Sequence, residues 1–93
     1  MQYDSKIMYS LLKQLWLQSD NCTLPIKNIA FQLMEVGKST NQTRKEVWDY
    51  LQLLIEQEYI ECISKEPLLY KFTDKGKLVK TSEDINAIIH NGG

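Results

Sequence analysis

The sequence predicts an α+β fold: a three-helix core, a small antiparallel sheet carrying a hairpin, and a C-terminal helix. Three observations carry that expectation. Apolar residues recur at helical spacing through Ile7, Leu11 and Leu15 and again through Val47, Leu51 and Leu54. Residues 59–64 and 68–72 read as two short strands around a Lys65-Glu66-Pro67 turn. The C-terminal stretch gathers Ile85, Ala87, Ile88 and Ile89 on what reads as one last helix. With 93 residues, 43% of them hydrophobic and 25% charged, the chain has material for one domain, residues 1–93, around a single core.

The first helix is expected over residues 5–18, with Asp4 as its cap and Ile7, Met8, Leu11, Leu12, Leu15 and Trp16 as its stripe. That stripe is wide enough for two neighbours, either two sides of one core or a core and a partner subunit. Ser19-Asp20-Asn21 breaks it. Cys22-Thr23-Leu24 reads as a minimal strand, and Pro25 as the first position of a second helix over 25–35 that buries Ile26, Ile29, Ala30 and Leu33. Gly37 is the expected helix stop, followed by a polar turn over 38–42. The third helix is expected to start at Thr43, because Thr43-Arg44-Lys45-Glu46 is a capping box, with Ser39 or Thr40 as alternative caps for an earlier start, and its core face runs through Val47 and Leu51. After the two strands, Thr73 is expected to cap a last helix over 74–90, which Thr81-Ser82-Glu83-Asp84 restarts or continues. Asn91-Gly92-Gly93 is expected to fray.

Net charge is −1, so distribution matters more than total. Lys38, Arg44 and Lys45 stand without an acid between them, whereas Glu46, Asp49, Glu56, Glu58 and Glu61 follow without a base. Lys65, Lys71, Lys75, Lys77 and Lys80 face only Glu66 and Asp74. One histidine, His90, and two cysteines leave too few ligands for a closed zinc site, so no metal is expected. There is no nucleophile elbow and no phosphate-cradling glycine loop, which argues against an enzyme and implies no cofactor. No apolar run approaches the roughly 20 residues of a membrane span and no secretory signal is visible, so the expected location is the cytoplasm. If the strands holding Cys22 and Cys62 flank the returning strand, their Cα atoms lie about 9 to 10 Å apart, two strand spacings. A disulfide reaches only about 7 Å, so an intrachain bridge is disfavoured, leaving free thiols or an intersubunit bridge through Cys22 or Cys62.

Helix, short strand, helix, turn, helix, hairpin, helix is the order of a winged helix-turn-helix, with residues 24–58 as the helix-turn-helix and 59–72 as the wing. Val47-Trp48-Asp49-Tyr50-Leu51, then Leu54 and Tyr59-Ile60, resembles the reader helix of MarR- and PadR-type regulators. Tyr70-Lys71-Phe72-Thr73-Asp74-Lys75-Gly76 resembles the Tyr-x-Leu-Thr-x-x-Gly segment that closes their wing. The small size also resembles the compact winged-helix proteins of crenarchaeal viruses, for which the location would be the host cell interior. Two departures stand out: Glu58 occupies a position commonly held by Gly, and Glu46 and Asp49 fall near positions that face DNA.

The resemblance implies sequence-specific binding of double-stranded DNA by a homodimeric transcriptional regulator. Asn41, Gln42, Thr43, Arg44, Lys45 and Trp48 would lie nearest the bases. Lys27, Lys38, Lys65 and Lys71 would hold phosphates, and the N–H groups at the start of the third helix would add an anion site. The expected dimer interface is Ile7, Leu11, Ile85, Ile88 and Ile89. Trp16 and Trp48, at helical spacing, also read as core. An effector pocket near the dimer helices is implied by resemblance alone. The alternatives are a protein interaction module, favoured by the net charge and the acidic third helix, and a single-strand or RNA binder, which needs Trp48 and Tyr50 outward.

Overall fold

In the computed structural model, which describes residues 2–92, the Asp4 carboxylate accepts from the Lys6 N–H at 2.8 Å and opens α1, Ser5–Gln18. The expected stripe of Ile7, Met8, Leu11, Leu12 and Leu15 is buried. At the end of α1 the chain reverses through Asp20, Asn21 and Cys22, at φ 48°, 57° and 72°. The carbonyl of the buried Ser19 organises this left-handed turn, accepting from the Thr23 and Leu24 N–H groups at 2.9 and 2.7 Å.

The strand expected at 22–24 is therefore a turn. Its pairing role falls to Ile26, whose N–H and C=O both bond Tyr70, at 2.7 and 3.2 Å. That bridge delays the second helix. Ile26 is committed to the bridge, so α2 begins at Ile29, not Pro25, and runs to Thr40. Asn28 enters it at φ 52° and supplies no side-chain cap. The far end is also displaced. Gly37 lies inside α2, and Asn41, at φ 56°, makes the left-handed stop instead. Glycine is needed at 37 for space: a Cβ there would stand 2.6 Å from the Gln42 carbonyl oxygen.

Only Asn41, Gln42 and Thr43 separate α2 from α3, Arg44–Glu56. The capping box forms as read: Thr43 Oγ1 accepts from the Glu46 N–H at 3.1 Å, and Glu46 Oε1 accepts from the Thr43 N–H at 3.3 Å. α3 buries Val47, Tyr50, Leu51, Leu53 and Leu54. Glu58, at φ 64°, then makes the left-handed exit itself, with no glycine to relieve it.

β1, Ile60–Lys65, and β2, Leu68–Phe72, pair antiparallel around Glu66-Pro67, with an irregularity between Cys62 and Ser64. β2 lies between β1 and Ile26. Of the two alternatives for the C-terminal segment the chain takes the restart: a 3-10 turn at Gly76–Leu78 is followed by α4, Ser82–Gly92. Thr81 and Asp84 separate them by a reciprocal cap, in which Asp84 Oδ2 accepts from the Lys80 and Thr81 N–H groups at 2.9 and 3.0 Å. Asn91 and Gly92 continue α4, contrary to the expected fraying, and Gly93 lies outside the described residues.

The described chain is thus α+β, four α-helices with a two-stranded antiparallel sheet. Among the described residues no helix is long and apolar enough to cross a membrane. Ile7, Leu11, Ile85, Ile88 and Ile89, expected at a subunit interface, are all buried in the core of the chain itself. The physical reason is that α4 folds back onto α1 and α3, so the second neighbour that the wide α1 stripe requires is intramolecular. Where α1 meets α2, Gln14 donates to the almost wholly buried Gln32.

Three outcomes follow from these joints. A Cβ on Gly76 would collide with the Tyr59 carbonyl oxygen, so Gly76→Ala should cost about 1 to 3 kcal/mol, read as a lower urea midpoint. Glu58→Gly should raise stability by roughly 0.5 to 1 kcal/mol, because glycine takes a positive φ without strain. Backbone donors from Lys80 and Thr81 hold the Asp84 carboxyl below the ordinary carboxylate range. Its contribution is therefore present above the unfolded carboxylate pKa and lost as pH falls through the lower folded value. Asp84→Asn should remove that part of the acid-dependent loss in melts taken below about pH 4.

Candidate functional site

The outward face of α3 is divided end to end. Its first turns present Arg44, Lys45 and Trp48 to solvent, all beside the capping box. Asp49 and Glu56 instead lie along the N-terminal segment: Tyr3 packs edge-on against Tyr50 at 4.9 Å, and the Tyr50 hydroxyl accepts from the Asp4 N–H at 2.7 Å. Burial first, then the charges of Asp49 and Glu56, push the Tyr3 pKa up.

Trp48 is 37% exposed, a correction to its reading as core. Counted from the buried Val47–Leu51–Leu54 stripe, a residue one step from Val47 is turned about 100° away from it, which is enough to leave the stripe. Trp48, Ala30 and Leu68 line a shallow, largely apolar recess with the buried Ile29 and Leu33 beneath and Thr43, Arg44 and Lys45 around it. A second hollow shares Ile29, Ala30 and Leu68 and adds Lys27, Asn28 and Pro67, so the surface is continuous from Lys27 to Trp48. Lys65 pairs across the hairpin with Leu68, at the edge of this surface.

Other expected residues are elsewhere. Lys71 lines a separate groove, where Glu58, Glu61 and Asp74 stand with Lys75 and Lys77. Lys38 is at the far end of α2 and pairs with Glu35 at 3.8 Å. Asn41 is exposed and Gln42 half-buried, and both belong to the backbone reversal between α2 and α3. At the start of α3, where an anion site is expected, the Glu46 carboxylate takes the Thr43 N–H and hydroxyl, and Thr43 Oγ1 takes the Glu46 N–H. The start of α2 has no such side-chain cap and carries Lys27 immediately before Asn28.

Sequence reasoning missed Ala30, assigned to the core, and Leu68, assigned only to a strand. The available signal was the short turn before β2, which brings Leu68 to the hairpin tip.

Both cysteines are free thiols. Cys22 is buried, and burial raises its pKa against the opposing pull of Lys77 and Lys80. Of the two alternatives left open for the cysteines, an intersubunit bridge at Cys22 would require opening the turn that buries it. Cys62 is exposed. On the opposite side of the molecule, Tyr9 and Trp16 meet edge to face at 6.3 Å above a groove between α1 and the start of α4. Among the described residues, no three His, Cys, Asp or Glu side chains gather as metal ligands would. Comparison with known protein families, with curated proteins and with solved structures finds no match to this chain.

Proposed function

We propose that this chain is a winged helix-turn-helix protein that binds double-stranded DNA and regulates transcription. α2 and α3 are the helix-turn-helix, α3 is the reader, and the β1–β2 hairpin is a short wing. The observation that carries this reading is the continuous surface on which Lys27, the uncapped start of α2, Arg44, Lys45, Trp48 and the hairpin tip converge. A groove-reading helix uses its first turns for base edges, while flanking cations and helix N-termini fix it on phosphates. Arg44 is placed for a guanine edge, with Lys27, Lys45 and Lys65 on the backbone.

A second copy belongs to the same proposal. With Ile7, Leu11, Ile85, Ile88 and Ile89 in the core, the apolar surface left on α1 for it is Tyr9 and Leu17. The rival reading, a protein interaction module, is favoured by the net charge of −1.

Salt dependence separates the two. On random duplex DNA, where Arg44 has no guanine to select and rests on a phosphate like the three lysines, binding should weaken by about 0.9 log units per tenfold rise in salt for each phosphate neutralised, giving a slope near −3 to −4 for Lys27, Arg44, Lys45 and Lys65 together. The double variant Arg44→Ala, Lys45→Ala should lower that slope by roughly 2 while leaving the melting curve in place. A chain that ignores duplex DNA even at low salt is the interaction module.

A further inference from the structure

We propose that the recess formed by Trp48, Leu68 and Ala30 receives the 5-methyl group of a pyrimidine in the major groove, so that the protein distinguishes methyl-bearing pyrimidines from bare ones. This rests on the DNA-binding reading above and specifies what its surface selects.

Three observations converge on it. Trp48 and Leu68 are 37% and 41% exposed, large apolar side chains left in water at a place where the core has no need of them. They come from different elements, the second turn of α3 and the first residue of β2, and meet over Ile29 and Leu33 to make a hollow, not a protruding wedge. Arg44 and Lys45 stand on the rim of that hollow, so any duplex held by those cations brings its base edges against it.

In the major groove the one apolar group on a base edge is the C5 methyl of thymine, and cytosine acquires the same group only when methylated. A methyl entering the hollow takes apolar surface of Trp48 and Leu68 out of water, whereas the C5–H of cytosine leaves that surface wet. A recess also disfavours prising bases apart, which calls for a side chain that projects.

The test compares the wild-type chain on four short alternating duplexes: adenine with thymine, adenine with uracil, guanine with cytosine, and guanine with 5-methylcytosine. Burial of one methyl corresponds to about a fourfold gain in affinity. Thymine over uracil and 5-methylcytosine over cytosine should each show it, and comparison of the two pairs tells whether thymine alone or both sources of the methyl are accepted. Trp48→Ala, and independently Leu68→Ser, should bring both ratios to about one while keeping the salt slope of the wild type, because neither residue carries charge. Equal affinity for methylated and bare duplexes, with salt-sensitive binding intact, overturns the methyl recess and leaves DNA binding standing. Tighter binding to unpaired thymine strands than to any duplex overturns it in favour of base stacking. No duplex binding at all removes the inference together with the reading beneath it.

Discussion

The end of α3 must become a strand within three residues, and the segment after β2 is what holds it there. Thr73 donates its N–H to the Tyr59 carbonyl at 3.1 Å and its hydroxyl to the Glu58 carbonyl at 2.6 Å, while Lys75 Nζ donates to the Gln57 carbonyl at 2.9 Å and lies 4.4 Å from the Tyr59 ring centre. Consecutive carbonyls that the helix leaves unpaired are thus satisfied by residues some fifteen positions away. The strained Glu58 is tolerated because this joint fixes its neighbours on both sides. Gly76 closes the same joint, its N–H donating to Thr73 Oγ1 at 3.0 Å. α3, the hairpin and the approach to α4 are therefore oriented by one knot of backbone bonds, and the surface at the other end of α3 inherits its direction from it.

That surface depends as much on where carboxylates are withdrawn as on where cations stand. Glu46 is occupied at the helix start. The recess itself is lined by Arg44, Lys45, Thr43 and apolar side chains. A chain of net charge −1 thereby keeps one patch of opposite character, and such local focusing, more than total charge, governs how a polyanion is steered.

Local chemistry was legible in the residues wherever a signal and its partner lie within one turn. Asp4 gave the start of α1, the Thr43–Glu46 pair gave that of α3, and the turn around Glu66-Pro67 gave the hairpin. The start of α2 was misread because the residue that keeps Ile26 extended is Tyr70, far along the chain. Gly37 was misread because its reason is the proximity of Gln42, a matter of space and not of φ. The wide stripe of α1 was read correctly as needing two neighbours, but periodicity does not say whether the second is α4 or another copy. For the surface, the cations were visible in sequence, but which of them share a face was not: Lys71 and Lys65 sit on the same hairpin and open onto different surroundings.

The amide pair between Gln14 and Gln32 gives the contact of α1 with α2 a property that apolar packing alone would lack. Leucines and isoleucines tolerate sliding, since one apolar neighbour substitutes for another. Moving α1 by a single turn would instead take the partner away from the buried Gln32 amide, at a cost of about 1 to 3 kcal/mol. The two helices therefore have one alignment with no close competitor, and the pair acts as an index mark that sets the register of the N-terminal half of the molecule.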